Sequence, residues 1–255
     1  PGIDIRKDLI WNLGTRVTLI VDYEIPITST SERILIGIES TEPEALATAI
    51  RKSLETDPTV IKHDFKGHEL WEIVELEEDE LPEVSVELDG FGLEDESLEE
   101  EPQGDLLANS IIAVAHGHLF ISSRIELLQE VISEPQSPTP LAASPDYVLT
   151  EEHLLGLGGA DSSMRIFQRT DEMARPVYEQ LKNGEMPTSE SILGRFLNAI
   201  FGSGEPDEVR EQKIDASTLP EYDIVRRYLG PSGAFCTSEE DGWFIVGCLL
   251  NKEAP

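Results

Sequence analysis

Three times in this sequence a run of strand-forming residues stops at a two-residue turn ending in glycine, and a second such run follows. The pairs are Thr59–Phe65 with Glu69–Leu76 around Lys66-Gly67, Ser110–Ala115 with His118–Ser122 around His116-Gly117, and Ala234–Ser238 with Trp243–Leu250 around Asp241-Gly242. Turns of this kind bring their flanking strands into antiparallel contact, so the chain must build its sheet from hairpins. Two further alternating segments, Arg16–Glu24 and Arg33–Glu39, add strands near the start and are joined through Pro26 and a Ser/Thr-rich loop.

Helical spacing fills the gaps between these strands. Asp4–Leu13 is expected to be helical, with Gly14 as its C-cap. Thr41 and Glu44 have the spacing of a capping box, and Leu46, Ala49, Ile50 and Leu54 form one apolar stripe up to Pro58. Further helices are expected at Arg124–Ile132, Asp146–Leu157, Thr170–Asn183, Ser189–Phe201 and Tyr222–Leu229, with a strand at Ser163–Arg169. The predicted class is α+β: an antiparallel sheet built from hairpins with helices packed on one face, plus a more helical C-terminal half. Residues 1–133 form the hairpin-rich unit, 134–145 a proline-rich linker or loop, and 146–255 a helical segment. Its closing hairpin, 232–250, is apolar on both faces of its second strand and is expected to rejoin the first sheet.

Charge narrows the partners. The chain has 51 acidic residues against 19 Lys and Arg, a formal charge of -32. Between Gly67 and Ser123 it has no Lys or Arg and 17 Asp and Glu. Such a surface repels phosphate backbones and anionic lipid, which disfavours nucleic acid and direct binding to an anionic membrane and leaves cations or a basic protein as partners. The middle of that run, Glu77–Asp105, is broken by Pro82, Gly90, Gly92, Pro102 and Gly104. It reads as a flexible acidic insertion in which Val84, Val86 and Leu88 can add an edge strand. No segment has the length and apolarity of a membrane-spanning helix.

Residues that carry chemistry are few. His116 and His118, or His63 and His68 beside Asp64 and Glu69, are ligand types for zinc or copper, but His116-Gly117 lies at a hairpin tip that splays the two rings. Asp89–Asp95 offers carboxylates to calcium without the alternating ligands of an EF-hand loop. Gly230-Pro231-Ser232-Gly233 is a turn rather than a nucleophile elbow, and Gly156-x-Gly158-Gly159 follows a helix, the wrong context for a phosphate loop. Trp71, Trp243, Phe235 and Phe244 are hairpin aromatics suited to a core or to an apolar ligand cradle on an open sheet. The helix Ser189–Phe201 has one basic residue, Arg195, on its polar face and reads as core rather than as a membrane-surface helix. With Asp241-Gly242 as the turn, Cys236 faces Gly247 and Cys248 faces Phe235, so the thiols lie on opposite faces and do not pair. No residue is assigned as catalytic, cofactor-binding or metal-binding.

Four stretches together resemble a bacterial domain-of-unknown-function family, represented by uncharacterised planctomycete proteins: Asn109–Ser123, Arg16–Pro26, Val225–Pro231 and Glu239–Gly247. The resemblance implies that the chain is the C-terminal part of a longer exported protein, placed in the periplasm or cell envelope, and it brings no activity, cofactor or site. The function expected from sequence is therefore a non-enzymatic exported structural or interaction module with an acidic solvent-facing insertion. The alternatives are an apolar ligand carrier and a metal-dependent enzyme using His63, His68, His116 or His118.

Overall fold

The computed structural model describes residues 2–74, 110–133, 140–184 and 218–252. The fold is α+β with antiparallel sheets. The chain divides into two compact units, one of residues 1–21 and 33–134, the other of residues 22–32 and 135–255.

The first unit is built on strands β1 (Leu13–Tyr23, whose last two residues count with the second unit), β2 (Glu32–Ser40), β3 (Val60–Phe65), β4 (His68–Ile73), β5 (Ile111–Ala115) and β6 (His118–Ser122), in the order β1-β2-β6-β5-β4-β3. Two hairpins have the turns the sequence demands: Lys66 and Gly67 have φ of 49° and 84°, His116 and Gly117 of 49° and 76°. Both turn residues are left-handed, the backbone that lets a two-residue loop follow the strand twist.

Two helices complete this unit, α1 (Pro43–Leu54) and α2 (Ile125–Ile132), and they lie on opposite faces of the sheet. Register explains the division. Leu70 faces Ala113, which faces Phe120, and these side chains pack with Leu127, Leu128 and Ile132 of α2. One residue along, Trp71 faces Ile112, and these pack with Leu46 and Ile50 of α1. The expectation of helices on one face is thereby corrected: Ile111-Ile112-Ala113-Val114-Ala115 is apolar at every position, so both faces of the central strands need cover. Gly37 permits the closest approach, since a Cβ there would stand 3.1 Å from the Phe120 ring.

Two boundaries also move. The expected N-terminal helix is reduced to two short turns, Ile5–Leu9 and Ile10–Asn12, capped by Asp4 Oδ1, which accepts from the amides of Arg6 and Lys7 at 3.1 and 3.2 Å. Gly14 is a strand residue pressed against Glu39 rather than a cap. Helix α1 begins at Pro43 and its N-cap, Glu42, makes no side-chain bond, so proline's fixed φ starts the helix in place of the Thr41–Glu44 box.

The second unit contains α3 (Pro145–Gly156), β7 (Met164–Gln168), α4 (Thr170–Asn183), the single turn α5 (Tyr222–Val225), β8 (Ser232–Glu239) and β9 (Gly242–Leu249). Its strands form their own sheet in the order β7-β8-β9. The closing hairpin therefore pairs with β7 and does not rejoin the first sheet, and the described residues after Pro140 hold a sheet as well as helices. The turn is Glu240-Asp241, one residue earlier than expected, because Glu239 pairs with Gly242. Helix α3 ends before Gly158, whose φ of 100° stops it as the glycine run suggested. The expectations for Glu77–Asp105, Val84–Leu88, Asp89–Asp95 and helix Ser189–Phe201 lie outside the described residues.

Candidate interaction surface

Alternation along β7, β8 and β9 separates two faces of very different character. Phe167, Gly233, Phe235 and Cys248 point to one side, covered by α3 and the glycine turn that follows it: a Cβ on Gly233 would meet Thr150 and Leu154 of α3, and one on Gly159 of the turn would meet Phe235. Met164, Ile166, Ala234, Ile245, Trp243 and Leu249 share the other. There Trp243 is 81% exposed, Leu249 70% and Ile245 61%, with Met164 and Ile166 about half exposed. Isolated apolar residues on a surface are ordinary, whereas these form a contiguous set on one sheet face. Reading the sequence placed β9 in a sheet interior because it is apolar on both faces; the structure puts it at an edge.

An ionic network holds the helices of this unit together. Asp171, at the start of α4, is buried, and its carboxylate takes Lys252 and, at 3.2 Å, Arg226. Tyr222 Oη donates to the Asp171 carbonyl at 2.5 Å, and Arg226 also reaches Glu172 at 2.8 Å. Glu172 accepts from Tyr23 Oη at 2.6 Å. Burial opposes ionisation of Asp171, but the hydrogen bonds from Lys252 and Arg226 outweigh it, and the carboxyl titrates below its ordinary range. Burial, aided by the Glu172 carboxylate, pushes Tyr23 up to about 12. Burial and the Asp171 charge push Tyr222 up to about 12. Its members are satisfied by one another, which makes this a structural clamp. No motif signals it, since Tyr23, Asp171, Arg226 and Lys252 are far apart in sequence.

The histidines are each held locally. His63 Nε2 donates to Glu72 at 2.7 Å, His68 Nδ1 to the Val114 carbonyl at 3.2 Å, His116 Nε2 to the Ile132 carbonyl at 3.1 Å, and His118 Nδ1 to the His116 carbonyl at 3.0 Å. The rings of His68 and His116 come within 5.7 Å, while His118 stacks on Phe120 instead. Asp64 and Glu69 face each other across β3 and β4, and Glu69 is taken by Arg51 and Lys62 at 2.7 Å each. Among the described residues no three His, Cys, Asp or Glu side chains converge as a metal site.

The aromatics do not converge either. Trp71 is buried in the first unit, Phe235 lies under the turn that follows α3, and Phe244 and Trp243 project from opposite faces of β9. Cys236 faces Ile245 and Cys248 faces Gly233, two residues off the expected register; the parity is unchanged, so the free thiols still lie on opposite faces. Ser232 is a β8 residue bonded to Thr170 at 3.0 Å. No described helix is long and apolar enough to cross a membrane. No family model matches this chain, and neither does any curated protein or solved structure.

Proposed function

We propose that this chain is a non-enzymatic interaction module that binds another polypeptide through the bare side of the β7-β8-β9 sheet. The observation that carries the reading is the contiguous exposure of Trp243, Ile245 and Leu249, with Met164 and Ile166, on the face opposite the one α3 packs against, where Phe244 is the exposed exception. A fold that spends its helix on one side of a three-stranded sheet and leaves aromatic and aliphatic side chains on the other retains a surface suited to a partner. The formal charge of -32 turns away nucleic acid and anionic lipid, which points to protein as the partner class. An extracytoplasmic location belongs to the proposal as well, supported by the resemblance of Asn109–Ser123 and the other quoted stretches to exported bacterial proteins.

Site-specific photo-crosslinking in the producing cell tests this. A photoreactive residue in place of Ile166 is expected to give one discrete protein adduct, and the same residue in place of Glu152, on the outer side of α3, none. Absence of an adduct at Ile166, or equal labelling from both positions, would overturn the reading.

A further inference from the structure

We propose that β9 is a docking edge for a second copy of this chain, whose own β9 adds antiparallel across a two-fold axis to make one continuous six-stranded sheet. This goes beyond the interaction reading above: it concerns the edge of the same sheet and leaves its bare face open to a further partner.

Four strands stand at the edges of the two sheets: β1, β3, β7 and β9. Three carry charge within the strand, Arg16 and Asp22 in β1, Lys62 and Asp64 in β3, and Arg165 in β7. Edge charges of this kind discourage a further strand from pairing. From Gly242 to Leu249, β9 has neither a charged residue nor a proline. Among the described edges it alone lacks these protections.

The backbone on that edge is correctly poised. Leu250 N donates inward to the Pro231 carbonyl at 2.9 Å, and in an antiparallel pair alternate residues turn both backbone groups to the same neighbour. Gly242, Phe244, Val246 and Cys248 therefore bond to β8, while Trp243, Ile245, Gly247 and Leu249 direct their N–H and C=O to the free side. A two-fold pairing centred on Val246 satisfies all four outward residues together. It sets Trp243 opposite the second copy's Leu249, and Ile245 opposite its Gly247. The first is an aromatic–aliphatic cross-strand pair between the most exposed residues of the strand, and the second gives Ile245 a neighbour without a side chain.

Charge selects the orientation. The turn end of the hairpin carries Glu239, Glu240 and Asp241. A parallel second strand would set two such triads side by side. The antiparallel register instead places each triad beside the other copy's Leu250, Asn251 and Lys252, the last held by Asp171 of its own chain. The two triads then stand roughly 30 Å apart along the ribbon, at about 3.3 Å per residue, well beyond the ~8 Å screening length at physiological salt. A self-pairing strand in so acidic a chain needs this separation.

Sedimentation velocity on the whole chain is the test. The expected result is a concentration-dependent shift from 28.3 kDa to twice that mass, tightening as salt rises because repulsion between two chains of charge -32 is screened. Ile245→Pro removes an outward N–H that β8 does not use, and is expected to abolish the dimer with the far-ultraviolet circular dichroism unchanged. Gly247→Lys does the same by charge: a Cβ there meets its nearest atoms at 3.4 and 3.5 Å, ordinary contact, so the variant folds even if Ile245→Pro does not. A wild-type chain that stays monomeric at every concentration and salt overturns the self-pairing, as does a Gly247→Lys chain that dimerises like wild type. In either case a crosslink from Ile166 to a different protein leaves the interaction reading standing, and its absence removes both.

Discussion

Gly233 lies directly beneath Thr150: a Cβ placed on it would come 2.5 Å from Thr150 Cγ2, and 3.0 Å from both the Leu154 side chain and the Ile166 carbonyl. Helix α3 sits on the three-stranded sheet at this point only because β8 offers bare backbone there. Gly233→Ala is expected to lower stability by about 2 kcal/mol through overpacking, measured as a lower denaturant midpoint. Gly247→Ala, on the same sheet where a Cβ finds ordinary contact distances, is the control and is expected to cost little.

The opposite placement of α1 and α2 has an energetic signature. Leu46 of α1 and Leu128 of α2 are both fully buried and pack against opposite faces of the central strands. Each Leu→Ala substitution is expected to destabilise the first unit by roughly 3 kcal/mol, the usual cost of a leucine-sized cavity. Because a sheet separates the two sites and no partner is shared, the double variant is expected to show the sum of the two losses. A large non-additive term in chemical denaturation would contradict independent packing on two faces.

Local pattern carried most element identities and little of their arrangement. The strands and their turns were legible because alternation and left-handed glycine turns are properties of adjacent residues: β6 and α4 lie where the spacing puts them, at His118–Ser122 and Thr170–Asn183. The face of the sheet that a helix covers was not, because Ile111–Ala115 is apolar at every position and alternation then favours neither side. Nor was the sheet to which β9 belongs, since pairing across long separations leaves no periodic trace. At the hairpin tip, Asp241-Gly242 competed with Glu240-Asp241, and the pairing of Gly242 with Glu239 decided it. The exposed face of β9 followed from that topology, and so was invisible until the strand had an address.

Asp171 makes the second unit sensitive to acid. Its carboxyl titrates below the ordinary value of 3.8 in the folded chain, so its contribution is present above the unfolded value near 3.9 and is lost as pH falls through the folded value. Asp171→Asn is expected to cost roughly 2 kcal/mol near neutral pH, less than a wholly buried pair because Arg226 and Lys252 keep about a third of their side chains in water. The variant is also expected to lose part of the wild type's decline in stability below about pH 4. Denaturant midpoints taken for both chains at neutral pH and in acid, with their difference shrinking in acid, provide the check.

Alkaline titration addresses the other end of the same clamp. Of the five tyrosines, Tyr23 and Tyr222 are pushed up to about 12, Tyr23 by burial and the Glu172 carboxylate, Tyr222 by burial and the Asp171 charge. The folded state then holds these protons where the unfolded chain releases them near pH 10, so stability is intact below pH 10 and falls as pH rises toward 12. Phenolate absorbance is expected to show a late stage, near pH 12, contributed by Tyr23 and Tyr222. Tyr23→Phe is expected to remove one residue from the late stage and to soften the alkaline loss of stability. A late stage of unchanged amplitude in that variant would separate Tyr23 from the Glu172 contact seen at 2.6 Å.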